Sequence, residues 1–156
     1  MVLTRRRTLA FLTVLPAQVL VTTAMAQSRD VWTAIEAFDA LLQDRIRLLD
    51  IRTSEEWRET GVAKGAWPVS LHDERFPERL FAARDLAEAR AVALICATGG
   101  RSGAVLSNLR KSGYESFIDV SDGMLGSRQG PGWIKAGLPT VTAQEAISTL
   151  PSALDL

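Results

Sequence analysis

A single cysteine in 156 residues excludes an internal disulfide, and a single histidine, His72, belongs to no His/Cys/Asp cluster with metal-ligand spacing. No glycine motif follows a strand pattern in the way a nucleotide site requires, so neither metal nor cofactor is expected. Internal repeats, low-complexity runs and long linkers are also missing. Lys+Arg and Asp+Glu both number 18, which leaves no excess of positive charge for nucleic acid. The longest apolar stretch, residues 9 to 21, is short for a membrane span and is interrupted by Pro16.

That stretch has another reading. Arg5-Arg6-Arg7 precedes it and Ala24-Met25-Ala26 follows, the small-x-small form of a signal-peptidase site, so residues 1–26 are expected to be a signal peptide cleaved before Gln27. Thr4-Arg5-Arg6-Arg7-Thr8-Leu9 fits twin-arginine export as well as the general secretory route. Cleavage takes three positive charges and no negative ones, giving the mature chain a net charge of −3. It implies a periplasmic protein with no membrane contact after processing. The remaining roughly 130 residues suit one domain, 27–156, with a full hydrophobic core.

The mature chain alternates helix and strand. Ala34, Ile35, Phe38, Leu41 and Leu42 recur at helical spacing, and residues 45 to 51 read as a short strand. Ser54 is the expected cap of a second helix that stops near Gly61. Pro68 marks a brief strand at a sheet edge. Residues 75 to 90 form a helix with a face of Leu80, Phe81, Arg84, Leu86 and Ala87. The wholly apolar run from Ala91 to Cys96 predicts a central strand covered on both sides. A helix follows through Ala104, Val105, Leu106 and Leu109, with Gly113 as its cap, and Phe117 to Val120 is the next strand. Beyond a glycine-rich loop, Trp133 to Gly137 forms a helical turn, and Thr142-x-x-Glu145 opens a short C-terminal helix. The pattern is an α/β protein: a central parallel sheet of about five strands with helices on both faces.

Ligands of such sheets bind beyond the carboxyl ends of the strands, where Cys96 lies. The segment Cys96-Ala97-Thr98-Gly99-Gly100-Arg101-Ser102 runs from a strand through a glycine loop into a helix. Unpaired N–H groups and the helix dipole at such a point stabilise an anion, and thiols there ionise readily. Glycine at 99 and 100 lets the backbone turn with its N–H groups inward. A buried, inert cysteine at a strand end is the other reading, and the residues alone leave both open.

Asp50-Ile51-Arg52, Glu56-Trp57, Gly65-Ala66, Cys96-x-x-Gly99-x-Arg101-Ser102, Asp122-Gly123 and Trp133-x-x-x-Gly137-x-Pro139 follow one another from about residue 30 to residue 141. In that order and spacing the chain resembles single-domain rhodanese-like proteins. The resemblance implies a rhodanese-like fold and a sulfurtransferase in which Cys96 attacks a small anionic sulfur donor, such as thiosulfate or a persulfide. The Cys96 persulfide then passes its sulfur to a thiol or cyanide-like acceptor. It assigns Cys96 and Arg101 to catalysis and Ala97, Thr98, Gly99, Gly100 and Ser102 to substrate binding. Asp50 and Arg52 match its Asp-x-Arg as a structural pair near the site. A non-catalytic sulfur carrier or sensing module is the alternative. Related phosphatases separate cysteine and arginine by five residues, whereas only Ala97 to Gly100 intervene here, so phosphatase activity is not expected. The chain departs from the family at Gly61-Val62-Ala63-Lys64-Gly65-Ala66, which lacks the usual histidine, and in a longer loop from Met124 to Gly132.

Overall fold

In a computed structural model, residues 30–155 are described; the expected leader lies outside them. Five strands form a parallel sheet: β1 (Val31–Trp32), β2 (Ile46–Asp50), β4 (Trp67–Pro68), β5 (Ala91–Ile95) and β6 (Phe117–Val120), in the order β1-β6-β5-β2-β4. The apolar run is the middle strand, and Pro68 lies in the edge strand, where its missing N–H leaves no ladder bond unmade. Two further strands, β3 (Val62–Ala63) and β7 (Thr140–Val141), pair antiparallel in a small separate sheet.

Alternation along the strands divides the core in two. Ile46, Leu48, Ala93, Ile95, Ile118 and Val120 face α1 (Ala34–Leu42), α5 (Gly132–Lys135) and α6 (Ala143–Ser148). Leu49, Val92, Leu94, Cys96 and Phe117 face α3 (Phe76–Ala87), α4 (Gly100–Lys111) and a final 3-10 turn at Ser152–Leu154. Among the described residues, no helix is long and apolar enough to cross a membrane.

Several local expectations need correction. The buried stripe of α1 is Ala34, Ala37 and Ala40, while Ile35 and Leu42 are exposed. Small residues bring this helix close to the sheet, and hydrophobicity alone does not mark such a face. The second helix, α2 (Ser54–Thr60), is capped by Thr53 rather than Ser54: the Thr53 hydroxyl accepts from the Glu56 N–H, and the Glu56 carboxylate accepts from the Thr53 N–H. On α3 the inward residues are Phe76, Arg79, Leu80, Ala83 and Ala87, and Leu86 is exposed. Helix α4 is capped by Ser112. Gly113 follows in the left-handed conformation (φ 79°), with Tyr114 N–H donating to Leu109 O, a Schellman closure.

Candidate functional site

Cys96 stands immediately after β5, and Gly99 caps α4 in the left-handed conformation (φ 83°) with no side-chain acceptor at the helix start. A methyl group on Gly99 would sit 2.0 Å from the Ser121 carbonyl oxygen, so only glycine fits. Gly100 has open space around it and a positive φ is not needed there, contrary to expectation; the turn is made by Gly99. The loop is pinned from the other side, where Met124 N–H donates to Cys96 O and Leu125 N–H to Ala97 O. Among the described residues, the N–H groups of Ala97, Thr98, Gly99, Gly100 and Arg101 have no acceptor. Those donors stand at the positive end of a 12-residue helix, where the helix dipole favours negative charge.

Cys96 itself is 1% exposed and belongs to the buried cluster on the α3 and α4 side of the sheet. The hydroxyl of Ser102, also buried, donates to its sulfur at 3.4 Å and contacts Gly99 O at 3.3 Å. Thr98 and Gly100 are exposed on the rim, with Ala97 half-buried.

Arg101 forms a bidentate pair with Glu56, at 2.9 and 2.5 Å. The pair holds the Glu56 carboxyl down to about 2, chiefly through hydrogen bonds from Arg101, and holds the guanidinium above its ordinary range, with a smaller contribution from the Cys96 sulfur. Because Glu56 also closes the α2 capping box, one carboxylate ties a helix start to the arginine beside the cysteine. Its residue appeared in the sequence pattern without a role. A partner 45 positions away is set by the fold and carries no local signal.

Asp50 and Arg52 lie at the end of β2, both fully buried. Arg52 donates to both Asp50 oxygens, to Thr60 Oγ1 and to Gly61 O, joining the strand end to the end of α2. Asp122, also fully buried, accepts from the N–H groups of Ala34 and Gly132 and so fixes the starts of α1 and α5. Sequence reading missed Asp119 on β6, 5% exposed, whose Oδ1 has no partner. Trp133 is core, and His72 and Arg128 are exposed loop residues. Among the described residues no group of three acidic, histidine or cysteine side chains is placed to hold a metal.

A cysteine at the carboxyl end of a central parallel strand, followed by a glycine turn into a helix and by an arginine tied to a neighbouring helix, is the arrangement of a sulfurtransferase-type α/β fold. The family model for the rhodanese-like domain matches residues 33–128, and the chain belongs to that family. An uncharacterized protein of Synechocystis is 31% identical over 106 residues, covering 67% of this chain and 51% of that protein. A solved protein of M. tuberculosis superposes with a TM-score of 0.55 at 25% identity, over 72% of this chain and 97% of that one. A rhodanese-like domain protein of Staphylococcus aureus shares the fold with a TM-score of 0.52 at 24% identity, over 72% of this chain and 98% of that one.

Proposed function

We propose that this protein is a sulfurtransferase that moves sulfane sulfur through a persulfide on Cys96. The observation that carries the reading is a buried cysteine at the end of the central strand, followed at once by a loop whose N–H groups have no acceptor among the described residues and which opens a 12-residue helix. In the first half-reaction the Cys96 thiolate attacks the outer sulfur of thiosulfate. A Cys96 S–S bond forms, the bond to the sulfonate sulfur breaks, and its electron pair leaves with sulfite. In the second, an acceptor thiol or cyanide attacks the terminal sulfur and the thiolate departs. Loop N–H groups stabilise the anionic sulfur in both states, so no histidine base is needed. Ala97 to Gly100 supply these donors, Arg101 holds the loop against α2, and Ser102 donates to the sulfur.

Steady-state release of sulfite from thiosulfate with cyanide present tests the reading: turnover in the wild type and none in Cys96→Ser supports it, and equal background in both overturns it. A second reading is favoured by the nearly complete cover over Cys96 and by the commitment of Arg101 to Glu56. Under it the protein holds sulfur for a partner, and Cys96 loads with sulfur but turns over negligibly. The export reading of residues 1–26 extends the proposal to a periplasmic setting. Amino-terminal sequencing of the processed protein is expected to begin at Gln27, and an intact leader on the processed form contradicts export by cleavage.

A further inference from the structure

The loop from Met124 to Gly132, set apart in the sequence by its length, has no part in the sulfur-transfer scheme, yet it is built against the Cys96 loop. Met124 N–H donates to Cys96 O, Leu125 N–H to Ala97 O, and Ile134 N–H to Met124 O. Further along, Ser127 Oγ donates to Ser121 O, the carbonyl that abuts Gly99. The loop also closes on itself: Gly126 and Gly132 are both left-handed, and a methyl on Gly132 would lie 2.2 Å from Gly126 N. Its backbone is a fixed platform beside the site, and a platform already ordered loses little freedom on binding.

What this platform presents is apolar and cationic. Leu125 is 43% exposed and Ile134 37%, two large apolar side chains beside the Cys96 loop. Arg128 and Lys135 are exposed, and among the described residues neither side chain has a hydrogen-bond or ion-pair partner. From Ser121 to Val141 the one acid is Asp122, buried and spent on the N–H groups of Ala34 and Gly132. Glu36, at the start of α1, is held in its own capping box. An exposed apolar pair bordered by unmatched cations favours an acidic partner with apolar side chains. A small anion such as thiosulfate would use the cations alone and leave Leu125 and Ile134 in water.

We infer that Leu125, Ile134, Arg128 and Lys135 form the docking surface for a protein acceptor, which offers its thiol on an acidic segment with apolar residues beside the cysteine. The chemistry of that acceptor rests on the sulfur-transfer reading. Its thiol gives a proton to solvent, its sulfur bonds the terminal sulfur of the Cys96 persulfide, and the S–S bond to Cys96 breaks with the electron pair left on Cys96. The four loop side chains make and break no bonds. They select the acceptor by apolar contact and by charge.

The test compares three five-residue peptides with a central cysteine as acceptors, all at one saturating thiosulfate concentration so that effects on the donor cancel. The cysteine is flanked on both sides by leucine and then glutamate, by leucine and then lysine, or by serine and then glutamate. For the wild type, kcat/KM of the leucine-glutamate peptide is expected to be about tenfold above each of the others at low salt, with the charge preference fading as salt rises. Arg128→Glu with Lys135→Glu should reverse the charge preference, and Leu125→Ser with Ile134→Ser should abolish the preference for leucine over serine. All four positions are exposed, so the fold tolerates these changes. Equal rates for the three peptides, or preferences that the variants leave intact, overturn the docking surface, while sulfite release with cyanide keeps sulfur transfer standing. Loss of sulfite release with every acceptor removes sulfur transfer instead, and NMR of Cys96→Ser then decides docking. Its Leu125 and Ile134 methyl signals should shift with the leucine-glutamate peptide carrying serine in place of cysteine and not with the lysine counterpart; no shift overturns the inference. Methyl signals that move with protein concentration alone assign the surface to a second copy of this chain and also overturn it.

Discussion

At the residue scale, Gly99 and Gly100 are adjacent and chemically identical yet have opposite requirements. Gly99 holds a left-handed φ against a carbonyl that a methyl would penetrate. Gly99→Ala is expected to cost more than about 3 kcal/mol, since both backbone strain and a backbone clash oppose it. Gly100→Ala, at the first helical position with nothing nearby, is expected to be neutral or stabilising by about 0.5–1 kcal/mol. Chemical denaturation of the two variants checks the pair, and equal losses would contradict the assignment of the turn to Gly99. The cysteine, arginine and glycines of the loop were legible in the sequence because they are contiguous. The acids Glu56 and Asp119 were not assigned, because the partner of Glu56 comes from another element and the burial of Asp119 is set by the helix packed over its strand.

At the element scale, the two capping boxes offer a controlled comparison. Thr33 with Glu36 caps α1, and Thr53 with Glu56 caps α2. Loss of either threonine side chain is expected to cost about 1 kcal/mol. The Thr53 hydroxyl fixes the backbone of Glu56, the residue whose carboxylate holds Arg101, so Thr53→Ala should also slow sulfur transfer while Thr33→Ala should not. Sulfite-release rates on both variants decide this, and equal rates would mean that the α2 cap is purely structural. The same boxes show where pattern reading stopped. The α1 face was sought among Ala34, Ile35, Phe38, Leu41 and Leu42; Ala34 is buried and Phe38 and Leu41 pack against the core, but Ile35 and Leu42 are exposed and Ala37 and Ala40 complete the buried stripe, because close approach to the sheet rewards small side chains. The continuous apolar run of β5 and the Pro68 edge were legible, as they follow from burial on two faces and from a missing N–H. The two-residue strands β1, β3 and β7 carry too few residues for any alternation to register.

At the scale of the whole molecule, two buried or half-buried acids pull stability in opposite directions with pH. Glu56 titrates at about 2 in the folded protein against an ordinary 4.5, so its contribution is fully present above about 4.5 and is lost as pH falls toward 2. That contribution is of order 1–3 kcal/mol, given a carboxylate still in part contact with water. Asp119 is shifted upward by burial, so its contribution is present below its ordinary 3.8 and is lost as pH rises through its folded value. Denaturation midpoints followed across pH should fall more steeply toward acid in the wild type than in Glu56→Gln, and parallel curves would contradict a role for the Arg101 pair in stability. The parallel sheet brings these acids and the cysteine to one region; chain order alone keeps them 40 residues and 23 residues from Cys96.

The central claim is that loop N–H groups hold a reactive anion on Cys96. Intact-mass measurement after incubation with thiosulfate tests it most directly. One added sulfur atom, mapped to Cys96, removed by a thiol acceptor and absent from Cys96→Ser, is the expected result. An unchanged mass with thiosulfate and with a persulfide donor would contradict the account.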